Sequence, residues 1–250
     1  MSRLRVAWWG GASTRLVMGP FDVLFDPVFR DAFVLGSADV TRAGPMPSVD
    51  VDGIGLVALT CARTDHYDPD LAARVGAGVP LLVPEGAGEC LEACGHERVN
   101  ELAWGQSTRY EAPGAALTIT AVAAKSGNGN DNGYFLSLDD AADRPATVYV
   151  TGDALFTDDV RLVQRDLGYA NLLIPYLGAE SAADGSGGSA GADDAMQFVY
   201  RMQPNAIVPV HHHTFSHYKE TLDTFVNTLA RTIYDRRLHV LAEGEAYERE

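Results

Sequence analysis

Two short segments of the chain concentrate side chains that can do chemistry. The first, TCARTDHYDP at residues 60–69, places a thiol, a guanidinium, an imidazole and carboxylates directly after the apolar stretch GLVAL. The second, VPVHHHTF at residues 208–215, contains three consecutive histidines. Imidazoles and carboxylates are ligands for zinc, manganese or iron, and an arginine can hold an anionic group. These residue types favour metal chemistry or the binding of an anionic substrate.

The elements that must position these segments alternate between strands and helices, as in an α/β protein. RLRVAWWGGAST and FDVLFDPVF are predicted to form a hairpin around a Gly-Pro turn. Short apolar runs bounded by turn residues predict further strands, and longer amphipathic stretches predict helices. The predicted strands are GIGLVALT, VPLLVPEG, ALTITAVAA, GYFLSL, ATVYVTGD, ANLLIPYLG, NAIVPV and RRLHVLAEG. The predicted helices are DPDLAARVGAG, DDVRLVQRDLG, DDAMQFVYRM and HYKETLDTFVNTLARTI.

The composition predicts a soluble globular protein. With 250 residues, of which 46% are hydrophobic, the chain can bury a full core. It has no apolar run of roughly 18 residues and no N-terminal secretion signal, so we expect a cytoplasmic location. The formal net charge of −15 argues against a nucleic-acid or anionic-membrane partner. Cys61, Cys90 and Cys94 form no C-x-x-C motif and are expected to be reduced thiols.

We expect one domain over residues 1–250, because no linker rich in proline or charge divides the chain. The Gly/Ser/Ala/Asp stretch at residues 179–194 is low in complexity and is predicted to be a flexible loop. Such a loop is either a solvated spacer or a lid over a site.

Five motifs, in the same order, resemble those of the metallo-β-lactamase superfamily, specifically its UlaG-like metal-dependent hydrolases. WWGGAST and LFDPVF together are similar to the first motif, a W-x-G-H-A-T strand followed by a hairpin that ends in D-P, with Gly11 in place of the histidine. LTCARTDHYDP is similar to the His-x-His-x-Asp-His metal motif, and TAVAAKSG, VYVTGDALF and VPVHHHTF match the three motifs that follow. The resemblance covers nearly the whole chain. It implies an αββα sandwich of the metallo-β-lactamase fold, with the metal site built from loops at strand ends.

The resemblance also implies that one of two metal sites is lost and the other kept. In the family one metal takes three histidines, and these positions carry Cys61, Arg63 and Ser126. The other metal takes an aspartate, two histidines and a bridging aspartate, and these positions carry Asp65, His66, His211 and Asp153. The kept set suits one divalent ion, zinc or else manganese or iron, with a water. The alternative is that these four residues form a hydrogen-bonded cluster that binds no metal.

Arg63 changes the chemistry of the lost site. A guanidinium only donates hydrogen bonds and cannot be a metal ligand. At about 4 Å from a divalent ion it costs on the order of 8 kcal/mol for an effective dielectric constant of about 20. We therefore predict that Arg63, with Lys125 and Ser126, replaces the first metal and holds the anionic group of a substrate or an oxyanion. The alternative for Arg63 is an outward-pointing side chain or an ion pair with Asp65.

Two further hypotheses concern the same motif. A register shifted by two residues puts His66 at a histidine position and Asp68 at the aspartate; we prefer the first register, because GLVALT ends immediately before Cys61. A thiolate at Cys61 stabilised by Arg63 would be a nucleophile, with His66 or His211 as its base. A small buried residue at a strand end is the commoner explanation for this cysteine.

The histidine-rich segment and three aromatic residues complete the predicted pocket. Alternation along an extended chain places His213 on the pocket side with His211, and leaves His212 and His217 at the surface or behind the ligands. Three aromatic side chains are candidates either for the pocket lining or for core packing: Trp9, Tyr67 and Tyr176.

Three classes of function follow. The first is a one-metal hydrolase of an ester, lactone, amide or phosphoester of an anionic small molecule. The second is a metal-free enzyme of the same fold that uses Arg63 and histidines for a rearrangement, cyclisation or elimination. The third is a non-catalytic module that binds a ligand or partner, and a homo-oligomer is compatible with all three. The candidate catalytic residues are Cys61, Arg63, Asp65 and His66. The candidate substrate-binding residues are Arg63, Lys125, Ser126, Tyr176 and His213.

Overall fold

Two β-sheets stacked face to face form the centre of this computed structural model, which describes residues 4–126, 129–141, 145–178, 190–219 and 222–249. The strands of the first sheet are β1 (Leu4–Gly10), β2 (Ser13–Met18), β3 (Phe21–Phe25), β6 (Leu56–Ala58), β7 (Leu81–Pro84), β8 (Val99–Leu102) and β15 (Ala246–Arg249). Those of the second are β9 (Ser107–Ala112), β10 (Ala115–Ser126), β11 (Gly129–Asp140), β12 (Ala146–Val150), β13 (Leu172–Ile174) and β14 (Ala206–Ile207). A separate hairpin consists of β4 (Ala32–Leu35) and β5 (Ala38–Thr41).

Both sheets change from antiparallel to parallel pairing. The first has the order β15-β1-β2-β3-β6-β7-β8, and β3, β6, β7 and β8 run parallel. The second has the order β14-β13-β12-β11-β10-β9, and β12, β13 and β14 run parallel. The loops at the carboxyl ends of parallel neighbours meet at one edge of a sheet, which is where such folds place their sites.

Helices cover the outer face of each sheet. The helices are α1 (Leu71–Val75), α2 (Gly88–Glu92), α3 (Asp158–Leu167), α4 (Ala192–Met202) and α5 (Leu222–Leu229), and a 3₁₀ turn spans Asp235–Arg237. Buried side chains of α1 and α2 pack on the first sheet, and those of α3, α4 and α5 pack on the second. The largest core lies between the sheets. The predicted αββα sandwich is therefore confirmed.

Alternation along β1 shows how the sequence builds these layers. Val6 and Trp8 face the core between the sheets, whereas Ala7 and Trp9 face the helices on the outside. Successive side chains of a strand point to opposite faces, so a strand that is apolar throughout must be covered on both sides. Among the described residues, none of the helices has the length and apolar content needed to cross a membrane.

Some predicted elements differ from the structure. RLRVAWWGGAST forms two strands rather than one, because Gly10 and Gly11 have φ of +101° and +55° and turn the chain between β1 and β2. The prediction of a strand at RRLHVLAEG is wrong: this segment begins in the 3₁₀ turn, and the closing strand is β15. Of the predicted flexible loop, residues 179–189 lie outside the described residues, and its last part belongs to α4, which begins at Ala192.

Candidate functional site

Four side chains converge where strands end at one edge of the sandwich. Asp65 and His66 lie in the loop after β6, Asp153 follows β12, and His211 follows β14. One candidate ligand atom from each residue lies within 4.8 Å of the other three, and all four residues are buried. The structure thus brings together the four predicted metal ligands from distant parts of the sequence.

Constrained backbone at two strand ends helps to place these residues. Gly152, which precedes Asp153, has a φ of +60°, and a Cβ there would lie 2.9 Å from the carbonyl oxygen of Asn132. Only glycine fits so close a turn. His211 has a φ of +62°, and its N–H donates to the carbonyl of Gly11 at 2.8 Å. Such a conformation costs about 1–3 kcal/mol for a residue with a side chain, which surrounding contacts must offset.

A buried carboxylate, Asp26, holds His66 from behind. Its Oδ2 accepts hydrogen bonds from the Thr60 hydroxyl at 2.6 Å and from the Tyr176 hydroxyl at 2.7 Å. The same oxygen lies 3.1 Å from His66 Nδ1. This contact fixes the orientation of the imidazole ring. His66 Nε2 therefore faces the other candidate ligands.

Charge pairs stabilise the ionised forms of the buried groups. His66 Nε2 lies 3.1 Å from Asp153 Oδ2 and 3.5 Å from Asp65 Oδ2. Burial opposes protonation of His66, but the neighbouring carboxylates raise its pKa well above the usual value. Burial likewise opposes ionisation of Asp65 and Asp153, but His66 and Arg63 hold the pKa of each carboxyl below its usual range. The site is a cluster of opposite charges shielded from water.

The Arg63 side chain points into this cluster, so the outward-pointing alternative is wrong. Its Nη2 donates to Asp153 Oδ2 and lies 3.3 Å from His66 Nε2. Its Nε donates to Asp65 Oδ1 at 3.4 Å, and its Nη1 donates to Asp131 Oδ2 at 3.3 Å. The side chain is 21% exposed. The expected ion pair with Asp65 is present, as one of three contacts with carboxylates.

His211 is the neutral member of the cluster. Its ring packs between those of Tyr176 and Tyr218, with centroid distances of 5.3 Å and 4.7 Å. Burial lowers its pKa to about 3. Neither ring nitrogen makes a hydrogen bond within the described residues, although Nδ1 lies 3.4 Å from Asp153 Oδ1. A neutral imidazole with a free lone pair is the form that binds metals.

Unsatisfied polar atoms at the centre of the cluster fit a bound cation. In the described part of the chain, Asp65 Oδ2, Asp153 Oδ1 and both ring nitrogens of His211 are buried without a hydrogen bond. Leaving such a group unsatisfied costs about 1–3 kcal/mol. Two carboxylates and two imidazoles are suitable ligands for zinc, manganese or iron. The four residues therefore fit one divalent ion, and Arg63 is a competing cation at three of them: Asp65, His66 and Asp153.

Cys61 is buried beside this cluster. Burial raises the pKa of its thiol to about 12, although His66 and Arg63 act in the opposite direction. The thiol is therefore neutral at neutral pH and a poor nucleophile. Desolvation outweighs the nearby guanidinium, which argues against the hypothesis of a thiolate at Cys61 and favours a packing role.

Three predicted substrate-binding residues point away from the cluster, are buried behind it, or have a side chain outside the described part of the chain. Lys125 is exposed, and its Nζ lies 2.5 Å from Asp159 Oδ2 at the start of α3. Because of this ion pair, Lys125 does not lie beside Arg63 as predicted. Tyr176 is completely buried behind the ligands, with its hydroxyl on Asp26. Ser126 ends β10, and its side chain lies outside the described part of the chain.

The histidine segment is arranged differently from the prediction. Positive φ values within HHH break the alternation of an extended strand. His212 is buried, with its ring centroid 4.5 Å from that of Trp8, and His213 is exposed. His217 Nε2 lies 3.9 Å from Asp65 Oδ2. Thus His217, rather than His213, borders the cluster.

Neither Asp68, the aspartate of the shifted register, nor the other two candidate aromatic residues reaches the cluster. Asp68 pairs with Arg30, whose Nε lies 2.9 Å from Asp68 Oδ1. Trp9 and Tyr67 are buried in the core between the first sheet and its helices. The geometry therefore agrees with the register that assigns Asp65 and His66.

Two functional residues were not foreseen as site residues. Asp26 is the aspartate of the D-P motif in LFDPVF, so the sequence marks its position although its contact with His66 was not predicted. Asp131 lies on β11 opposite Ala124 of β10, and it reaches Arg63 only through this pairing. Its position depends on strand register, which no motif in the sequence specifies.

The fold and the site together define a sandwich of the metallo-β-lactamase type. A family model described as "Beta-lactamase superfamily domain" matches residues 22–212. The chain therefore belongs to the beta-lactamase superfamily, and the predicted superfamily is confirmed.

Similar proteins support this membership. An uncharacterized protein of Mycobacterium tuberculosis is 30% identical over an alignment of 200 residues, gaps included, that covers 73% of this chain and 50% of that protein, so the chain spans about half its length. A UPF0173 metal-dependent hydrolase of Methylobacterium nodulans is 26% identical over an alignment of 235 residues, gaps included, that covers 90% of this chain and 92% of that protein, which supports a UPF0173 branch. The solved isothiocyanate hydrolase from Delia radicum gut bacteria shares the fold, with a TM-score of 0.80, 18% identity and coverage of 97% and 98%.

Proposed function

We propose that this chain is a hydrolase with at most one divalent metal ion, held by Asp65, His66, Asp153 and His211. Its substrate would be an ester, lactone, amide or phosphoester of an anionic small molecule. The observation that carries this proposal is the convergence of four buried ligand residues, of which Asp65, Asp153 and His211 have buried atoms without a hydrogen bond in the described part of the chain. The relative from Methylobacterium nodulans, named as a metal-dependent hydrolase, supports the same reaction class.

The charge of the site supports a cation there. Among the described residues, four buried carboxylates belong to this cluster: Asp26, Asp65, Asp131 and Asp153. Arg63, His66 and His217 carry at most three positive charges between them against these four carboxylates. Buried charge without compensation is costly, so the negative excess of this group favours a divalent cation.

The residues around the cation would have different roles. A bound divalent ion lowers the pKa of its water toward neutrality and so supplies a nucleophile at neutral pH. Asp26 fixes the His66 ring, and the low pKa of Asp65 keeps this carboxylate ionised, so that its Oδ2 would be available to hold the ion. Burial excludes bulk water from these groups.

Arg63 has the geometry to orient an anionic substrate. Its guanidinium stays charged, since its pKa is raised by the neighbouring carboxylates despite burial. Its partial exposure gives a ligand access to donors that are otherwise shared among three carboxylates. A substrate carboxylate or phosphate, or an oxyanion formed during hydrolysis, would take over one or two of these donors.

A metal-free enzyme is the second candidate, favoured by one specific contact. Arg63 Nη2 donates to Asp153 Oδ2 and approaches His66 Nε2, so it contacts two of the residues that would hold a metal. The guanidinium of Arg63 would then act as the cation of the site and hold the substrate, and the histidines would transfer protons in a rearrangement, cyclisation or elimination.

Hydrolysis assays on apo and metal-loaded protein separate the candidates. We expect the zinc- or manganese-loaded chain to hydrolyse at least one anionic ester, lactone or phosphoester, and Asp153→Asn to lose this activity. Arg63→Ala should lower kcat/KM for anionic substrates by about 10- to 100-fold, as expected when a charge-assisted hydrogen bond is lost. Neutral substrates of the same type should lose less than threefold. Equal turnover by apo protein would favour the metal-free enzyme, and substrate binding without turnover would favour a binding module.

A further inference from the structure

A cavity of about 250 Å³ opens at the carboxyl ends of β7 and β8. It is lined by Glu85, Leu102, Ala103, Trp104 and Asn132. Because β3, β6, β7 and β8 are parallel neighbours, the loops that follow them lie along one edge of the first sheet. The cavity therefore lies at the same edge as the loop that carries Arg63, Asp65 and His66.

Trp104 gives this cavity a fixed aromatic surface. Its side chain is 38% exposed, and its Nε1–H donates to the backbone carbonyl of Asp131 at 2.8 Å. This bond satisfies the polar group of the indole and leaves the ring faces for apolar contact. The carboxylate of Asp131 lies 3.3 Å from Arg63 Nη1. One residue thus contacts both the aromatic surface and the guanidinium.

The remaining lining residues include a hydrogen-bonded amide and one carboxylate. The Asn132 side-chain amide donates to the carbonyl of Leu102 at 2.9 Å, and both residues are buried. Glu85 is exposed and brings a negative charge, and the described residues that line the cavity include no cation. This lining favours an uncharged group over an anionic one.

We propose that the cavity binds a planar, uncharged aromatic group of the substrate, stacked on Trp104, while the anionic group of the same molecule pairs with Arg63. This assignment deepens the proposed function and rests on it for the anionic end. The preferred substrates are then aryl-bearing anions rather than small aliphatic ones.

Calorimetric titration with two non-hydrolysable anions tests the cavity. Phenylphosphonate and methylphosphonate carry the same anionic group and differ in the ring. We expect the metal-loaded chain to bind phenylphosphonate three- to tenfold more tightly, the range typical of one aromatic pair. Trp104→Ala should abolish this preference, and Trp104→Phe should keep most of it. Tyr169→Ala, at an aromatic residue that is 55% exposed, is the matched control and should leave the preference unchanged.

The outcomes separate this proposal from the hydrolase assignment. Equal affinities for the two phosphonates, no binding of either at millimolar concentration, or a preference that survives in Trp104→Ala each overturn the cavity assignment. Circular dichroism of each variant establishes that it is folded. A ring preference that depends on Trp104, combined with no turnover of phenyl esters or phenyl phosphate, keeps the cavity assignment and contradicts the hydrolase.

Discussion

Replacing Arg63 by methionine should tighten metal binding. Methionine is long and uncharged, so the substitution removes the guanidinium with little loss of packing volume. Arg63 Nη2 donates to Asp153 Oδ2 and lies 3.3 Å from His66 Nε2, so two candidate ligand atoms contact this charge directly. Without the guanidinium, both atoms are available to a metal ion.

The size of the effect follows from electrostatics. For a separation of about 4 Å and an effective dielectric constant of about 20, a unit charge and a divalent ion repel by on the order of 8 kcal/mol. The side chain is 21% exposed and can swing toward solvent when an ion binds, which relieves most of this repulsion. We expect about 1.4–2.8 kcal/mol to remain, which corresponds to 10- to 100-fold tighter binding in Arg63→Met.

Competition with a chromogenic zinc chelator at constant pH and salt measures this change. Arg109→Met is the matched control, because this side chain is 50% exposed on β9 and is expected to leave the affinity within twofold. Zinc affinity in Arg63→Met that is unchanged or weaker would refute the reasoning, since Arg63 would then not compete with the ion.

Three further predictions concern the supporting residues. Asp26→Asn should weaken zinc binding about 10- to 100-fold in the chelator assay, because Asp26 fixes the ring of His66; unchanged affinity would contradict this role. Gly152→Ala should lower the free energy of unfolding in urea by about 2–4 kcal/mol, combining a strained φ with a close contact. The matched Gly168→Ala, with a φ of +90° and nothing within 4 Å of its Cβ, should cost about 1 kcal/mol, and equal losses would contradict the contact. Burial lowers the pKa of His212 from 6.5 to about 4, so the unfolded chain takes up a proton that the folded chain does not. The free energy of unfolding should therefore fall by about 3 kcal/mol as the pH drops from 6.5 to 4. In His212→Gln, the free energy of unfolding measured in urea should depend correspondingly less on pH. An unchanged pH dependence would contradict this linkage.

Much of the fold could be predicted because its determinants are local. The apolar runs that become β6, β7, β10 and β12 are bounded by turn residues, and the order of motifs indicated the sandwich. RRLHVLAEG has the composition of a strand but forms no strand, because tertiary context overrides local propensity. Gly10 and Gly11 explain the missed turn, since their positive φ values reverse the chain within a stretch that reads as continuous.

The candidate site was only partly predictable for the same reason. Asp65, His66, Asp153 and His211 each lie in a motif at a strand end, and the fold brings them together. The direction of Arg63 depends on Asp131, whose position follows from the pairing of β10 with β11. The placement of the histidine segment depends on positive φ at His211 and His213, and a positive φ at residues other than glycine cannot be predicted from the sequence.

The metal content of the chain tests the proposed site most directly. Elemental analysis of protein purified without chelators, before and after zinc or manganese addition and gel filtration, should give about one equivalent per chain, the number that the four ligand residues can hold. His211→Ala and Asp153→Asn should each lower this content strongly under the same conditions. Less than about a tenth of an equivalent, unchanged after metal addition, would contradict a metal site on these residues, and two equivalents would contradict its replacement by Arg63.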